Sequence, residues 1–331
     1  MPMTRLWFLL LFLPVLLAGC AGRDSNGGAD KASDGKLTIA VIPKATSHEF
    51  WKSVHAGAIR GAEQADVKII WKGPITESDR EAQINLVQDF VAQQVDGICL
   101  APLDAQALIP SVQDAKAAGV PTLIFDSGLD DAESIVSYVA TDNYRGGQLA
   151  GRRLGELLDG KGRVILLRYV VGSQSSSRRE QGFLDVLAEE FPDVEVLSSN
   201  EYAGDTADKA LVKAQQLLLT FGDRVDGVFV PTQHVATGML RALEEQGLAG
   251  KVKFIGFDAS PVLVEALRAE KMHGIVLQDP VGMAALAVTS MADHLRGKPV
   301  EPRISTGETM ATPQNMDEPK VHALLHPESH D

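Results

Sequence analysis

From Leu37 onward, short apolar runs alternate with stretches whose apolar positions recur every three or four residues, the pattern of buried parallel strands separated by helices. The runs predict ten strands in two series of five. The first series covers residues 37–43, 67–71, 97–101, 122–126 and 135–140; the second covers 164–168, 194–198, 227–231, 253–257 and 274–278. Residues 48–64 carry Phe50, Val54, Ala58 and Gly61 at helical spacing, with Thr46 or Ser47 placed to cap the free amides. Asp104 is the expected N-cap of the helix after the third strand, whose Pro110 is tolerable only near its first turns. Asp142-Asn143, ahead of Gly146-Gly147, predicts a helix cap that is also part of a crossover. The tail after Thr306, with Pro313, Pro319 and Pro327, reads as irregular chain apart from a short helix around residues 320–325.

The two series resemble each other. Val95-Asp96-Gly97 leads through a strand and a helix to Phe125-Asp126-Ser127, and Val225-Asp226-Gly227 leads likewise to Phe257-Asp258-Ala259. Each half places an aspartate just past the carboxyl end of a buried strand, where open α/β sheets hold their ligands. An aspartate there can also merely cap the next helix, a role of about 1 kcal/mol. Its recurrence at equivalent positions favours ligand contact. The fold class expected is α/β, two similar doubly wound parallel-sheet lobes joined by hinge strands. Facing lobes would put a carboxylate on each wall of a cleft, which suits a polyhydroxylated guest because carboxylates accept what hydroxyls donate.

The ends and the charge place this fold. Arg5, the apolar residues 6–17 and the small residues before Cys20 read as a secretory leader, too short for a comfortable membrane span. Leu17-Ala18-Gly19-Cys20 matches a bacterial lipobox, so residues 1–19 are expected to be a signal peptide. Cys20 is then the acylated first residue of a lipidated flexible tether over 20–35, anchoring the chain in the cell envelope without a transmembrane helix. If the cell has two membranes, the chain faces the periplasm. The roughly 295 residues that follow exceed one small core. The lobes are expected at 36–141 plus 279–306 and at 142–278 plus 307–331. The formal charge of −13 argues against a nucleic-acid or anionic-membrane surface. With Cys20 lipidated, Cys99 has no disulfide partner and reads as a small buried apolar residue.

Catalytic motifs are absent. There is no phosphate-cradling glycine loop, nucleophile elbow or His-Glu-x-x-His. Gly146 to Gly151 lies inside a predicted helix and reads as close helix packing. His322 and His326 share a helix face without an acidic partner, and Arg178-Arg179 reads as a solvated pair rather than an anion site. Neither an enzyme activity nor a cofactor nor a metal is expected.

The landmarks together, Ile39-Ala40-Val41 before Phe50-Trp51, Val95-Asp96-Gly97, Gly119-Val120-Pro121 ending at Asp126, Ala140-Thr141-Asp142-Asn143, Arg179 before Gly182-Phe183, Gly256-Phe257-Asp258 and Gln278-Asp279-Pro280, resemble the type 1 periplasmic solute-binding proteins over residues 37–307. The resemblance is to the branch of ribose-binding and related simple-sugar-binding proteins. It implies a monomeric receptor that closes on a sugar-like solute and delivers it to the permease of an ABC importer. The family's cleft falls here on Lys44, His48, Phe50, Trp51, Asp126, Ser127 and Asn143 in the first lobe and crossover. In the second lobe it falls on Ser177, Tyr202, Thr232, Asp258 and Gln278. Phe50 and Trp51 would offer flat apolar surface to a sugar ring. Ser127 and Ser177 stand where relatives carry arginines, and Thr232, beside Gln233, stands where they carry asparagine. Lys44 and His48 could supply compensating positive charge, which leaves an acidic sugar or another anionic metabolite open.

Three other readings share parts of this pattern. A LacI-type effector domain would need a helix-turn-helix where the leader stands. An envelope hydrolase could use two carboxylates. A chemotaxis or sensor-kinase receptor would bind the same sugar without transport.

Overall fold

The computed structural model describes residues 35–328. Among the described residues, twelve strands form two six-stranded sheets. The first sheet contains β1 (Thr38–Ile42), β2 (Lys68–Trp71), β3 (Gly97–Leu100), β4 (Thr122–Phe125) and β5 (Tyr138–Ala140), closed by β11 (Arg303–Ser305), in the order β11-β5-β4-β3-β1-β2. Its pairings are all parallel. The second contains β6 (Gly162–Arg168), β7 (Val194–Tyr202), β8 (Gly227–Phe229), β9 (Lys253–Phe257) and β10 (Gly274–Leu277), closed by β12 (Thr309–Ala311), in the order β12-β10-β9-β8-β6-β7. Here β12 runs antiparallel to β10. The same strand order built twice confirms two doubly wound lobes.

Helices α1 (Glu49–Ala65), α2 (Arg80–Ala92), α3 (Ile109–Ala117) and α9 (Pro280–Leu295) cover the first sheet. Helices α4 (Asn143–Leu157), α5 (Gln174–Glu190), α6 (Ala207–Phe221), α7 (Gln233–Glu245), α8 (Pro261–Arg268) and α10 (Pro319–Leu325) pack with the second. Because strand side chains alternate faces, Ile39 and Val41 enter the core beneath α1 and α9, whereas Ala40 and Ile42 enter the core beneath α2 and α3. Burial on both faces explains why these strands read as unbroken apolar runs.

The chain passes between the sheets three times, from β5 to α4, from β10 to α9 and from β11 to β12. The ten expected strands are present, joined by two more, β11 just before Thr306 and β12 in the tail expected to be irregular apart from its short helix. Strands β11 and β12 escape the periodicity because each is three residues long and mostly not buried, so no apolar run marks them. The expected fifth strand begins three residues late, at Tyr138.

Three local expectations are corrected. Thr46 and Ser47 do not cap α1: their hydroxyls donate to the Pro74 and Ile75 carbonyls and tie two loops together. Asp104 accepts from Gln106 and Ala107 in a turn ahead of α3, whose N-cap position is Leu108. Arg178 and Arg179 part company, the first exposed and the second 3% exposed. Asp142 does cap α4, accepting from the Arg145 amide at 3.1 Å. The glycines of α4 are indeed packing residues: a Cβ on Gly147 would stand 1.9 Å from the Arg179 carbonyl oxygen. The leader and Cys20 lie outside the described residues. Among those described, no helix is long and apolar enough to cross a membrane.

Candidate functional site

Segments leaving the carboxyl ends of both sheets enclose a polar cavity of about 40 Å3. Asp126 leaves β4 and Asp258 leaves β9, each with a left-handed backbone, at φ 62° and 66°. The Asp126 amide donates to Val139 at 3.0 Å and the Asp258 amide to Val276 at 2.9 Å, the same bond in each half. Holding a residue with a Cβ there costs about 1–2 kcal/mol, least for Asp and Asn, and such strain concentrates at functional sites. Both carboxylates are buried and line the cavity.

The cations that accompany them differ. Lys44 Nζ lies 3.5 Å from Asp126 Oδ2 and donates across the cleft to the Ser173 and Ser175 hydroxyls at 3.1 and 3.2 Å. Arg179 donates to Asn143 Oδ1 at 2.8 Å and to the Pro231 carbonyl at 2.9 Å. Its guanidinium stacks 3.8 Å above the Phe257 ring and reaches within 3.7 Å of Asp258 Oδ2. Burial raises the Asp126 carboxyl above its ordinary range, with Lys44 and Arg179 holding it back. Burial pushes Asp258 up to about 6 against the opposing pull of Arg179 and of Gln278, which donates to it at 2.8 Å.

A third carboxylate, Glu77, joins the lobes. It accepts from Trp51 Nε1 at 2.7 Å within its own lobe and from the Tyr169 hydroxyl of the other. Burial would raise Glu77, but the positive charge of His234, Lys44 and His48, with the Tyr169 bond, holds it below its ordinary value. His234 is itself driven down to about 4 by burial. At neutral pH it has shed its proton, and Lys44 and Tyr169 remain to hold the carboxylate. The His48 ring stacks on His234 across the cleft, with centroids 5.0 Å apart.

Eight of the expected residues line this cavity: Lys44, His48, Phe50, Trp51, Asp126, Thr232, Asp258 and Gln278. Trp51 is also a core aromatic, edge-on to Phe125 at 6.4 Å. Ser127 and Asn143 stand behind the wall. The Ser127 hydroxyl accepts from the Ser175 amide at 3.2 Å, and Asn143 holds Arg179. Ser177 and Tyr202 are not brought in. Ser177 is exposed on the outer side of α5, and Tyr202 is 42% exposed in a separate surface groove. The arginine thought lost at Ser177 is supplied two residues later by Arg179, half a helical turn around onto the buried face of α5.

Glu77, Tyr169, Ser173, Ser175 and His234 were not singled out by sequence. Each lies in a segment after a strand's carboxyl end, as Asp126 does, so extending that rule from two strands to all points to the segments that reach the cavity but not to the residues within them. Thr232 Oγ1, His234 Nε2 and Gln278 Oε1 are buried without a hydrogen-bond partner and border the cavity. Among the described residues no group of three His, Cys, Asp or Glu could hold a metal ion.

Two mainly parallel sheets crossed three times by one chain, with a polar cavity at their facing carboxyl ends, define the two-lobed type 1 binding-protein class. The chain belongs to the periplasmic binding protein family: a periplasmic binding protein domain matches residues 39–299. It is 26% identical over 296 residues to the ribose import binding protein of Bacillus subtilis, covering 88% of this chain and 92% of that one. A carbohydrate transporter solute-binding protein of Agrobacterium radiobacter, solved with D-arabinose, superposes with a TM-score of 0.84 at 31% identity, covering 89% of this chain and all of the other. One from Agrobacterium vitis with bound D-fucose gives 0.84 and 31%, over 87% of this chain and all of the other. The family expected from the landmarks is confirmed.

Proposed function

We propose that this chain is a cell-envelope receptor that captures a neutral monosaccharide or polyol between its lobes and delivers it to an ABC importer, with no covalent step. The observation that carries the reading is the cavity's bias toward acceptance. Three carboxylates line it against two cations, and both cations are already engaged by protein acceptors. Gln278 Oε1 accepts only, and the Asp126 and Asp258 carboxylates accept only when ionised. A guest made of hydroxyls donates to all of these, whereas an anion would meet three like charges in a buried space. The anionic guest left open by the sequence is therefore disfavoured. Relatives that carry ribose, D-arabinose or D-fucose in their names support a sugar.

Lys44, Asp126, Glu77, Tyr169, Arg179, Asp258 and Gln278 would hold the guest's hydroxyls, and Phe50 with Trp51 would face its apolar side. Segments near Thr141, Gln278 and Gly307 would serve as hinges, and ligand would drive closure to the extent that it binds the closed form better. Titration of pentoses, hexoses, polyols and uronic acids, followed by Trp51 fluorescence and calorimetry, tests this. A neutral sugar should bind reversibly and be recovered unchanged. Binding confined to uronic acids would overturn the neutral assignment. Mass spectrometry of the mature N-terminus tests the lipid anchor, which should be acylated at Cys20 and lost in Cys20→Ser.

A further inference from the structure

A second chamber adjoins the polar cavity, and the geometry points to a binding subsite for a neutral substituent on the sugar, the second unit of a disaccharide or the aglycone of an O-glycoside. The inference rests on the carbohydrate reading above and extends its site. The chamber offers about 220 Å3, against about 40 Å3 in the polar cavity. Phe50, Asp258 and Gln278 border both spaces, so the partition is made of three side chains that already belong to the sugar cavity. One of them carries an unused acceptor. Gln278 Nε2 is committed to Asp258, but its Oε1 is buried without a partner.

Beyond the partition the chemistry changes. Leu277, Pro261 and Leu324 give apolar walls, interspersed with the hydroxyl groups of Ser53 and Ser260. Such a mixture suits a ring with apolar C–H faces and a hydroxylated edge, or a short alkyl or aryl group. Among the described residues no Lys or Arg lines it, while Glu49 and Asp258 do, which disfavours an anionic substituent, and the apolar walls favour a neutral one. Both lobes contribute: Glu49, Phe50 and Ser53 come from the start of α1, Pro261 opens α8, and the end of α10 with the segment after it roofs the space. That roof is tied to the first lobe by an ion pair between Glu328 and Arg60 of α1. A substituent lodged there would touch both lobes when the receptor is closed.

Calorimetry on the full mature chain should compare D-ribose, D-arabinose, D-xylose and D-galactose with their methyl and phenyl glycosides in both anomers. At least one glycoside should bind within about tenfold of its free sugar or tighter. Leu324→Trp and Ala259→Leu, which fill the chamber from different walls, should weaken that glycoside about tenfold or more and its free sugar less than about threefold. Melting curves identify a variant that fails to fold, and the remaining variant and the wild-type comparison then decide. Free sugars that bind while every glycoside is about a hundredfold weaker would overturn the subsite and leave the carbohydrate reading standing. Glycoside binding indifferent to both variants would also overturn it. Binding by neither series would sink both readings.

Discussion

The two lobes carry the same aspartate on the same backbone and neutralise it differently. Asp126 and Asp258 share a left-handed φ and an amide bond to the adjacent strand. Asp126 faces a lysine from its own lobe whose remaining partners are two serine hydroxyls of the other lobe. Asp258 faces an arginine held by an asparagine, a carbonyl and a phenylalanine ring. The shared backbone geometry aims both carboxylates alike, whereas the counter-ion differs between the lobes and is buried and paired in each. The lysine spans the cleft, while the arginine stiffens one wall. A planar fork with several fixed partners is pre-organised in a way a flexible ammonium is not.

The comparison can be broken first at the helix pairs that support the lobes. Gly147 of α4 meets the Arg179 carbonyl of α5, and Gly57 of α1 meets the Val281 carbonyl of α9 at 2.2 Å from an added Cβ. Gly147→Ala should cost about 3 kcal/mol in urea denaturation and weaken binding as well, since it displaces Arg179, because overpacking forces backbone shifts. Gly57→Ala should cost a similar amount. Equal affinity in a folded Gly147→Ala protein would contradict the role given to Arg179.

Next come the aspartates. Asp126→Ala and Asp258→Ala should each lose about 2 kcal/mol or more of affinity for a bound sugar, about thirtyfold, by calorimetry. They should differ in stability. Asp126→Ala leaves Lys44 buried without its carboxylate and should lower the melting temperature more than Asp258→Ala, which leaves Arg179 its other partners. Asparagine tolerates the left-handed backbone, so Asp258→Asn should bind poorly yet melt close to wild type. An equally destabilised Asn variant would show that charge, rather than backbone strain, governs the site's stability.

The smallest effects are those of pH. Affinity should fall as pH drops through about 6, where Asp258 takes up a proton, and Asp258→Asn should remove that step. For stability the two shifts oppose. The raised Asp258 binds its proton in the native state before the unfolded chain does, so its contribution is present below about 3.8 and is lost as pH rises through about 6. His234, lowered from 6.5 to about 4, resists protonation in the native state, so its contribution is present above 6.5 and is lost as pH falls toward 4. His234→Gln should therefore lower the melting temperature at pH 7.5 relative to that at pH 5, and Asp258→Asn should shift the same comparison the opposite way.

The sequence by itself determined the ten principal strands, the duplication, the family and the two aspartates. Each depends on local composition or on spacing that recurs along the chain, and both survive without knowledge of what lies across the cleft. Tertiary structure alone decided which neighbours reach the cavity. Ser177 and Arg179 are two residues apart on one helix, and only the packing of α5 against α4 tells which of them is buried. Glu77 became a partner of Tyr169, 92 residues away, because the lobes bring together the ends of strands from separate sheets. The three-residue strands β11 and β12 exist because finished sheet edges offer them unpaired backbone groups, a condition set by the rest of the fold and written nowhere in their own side chains.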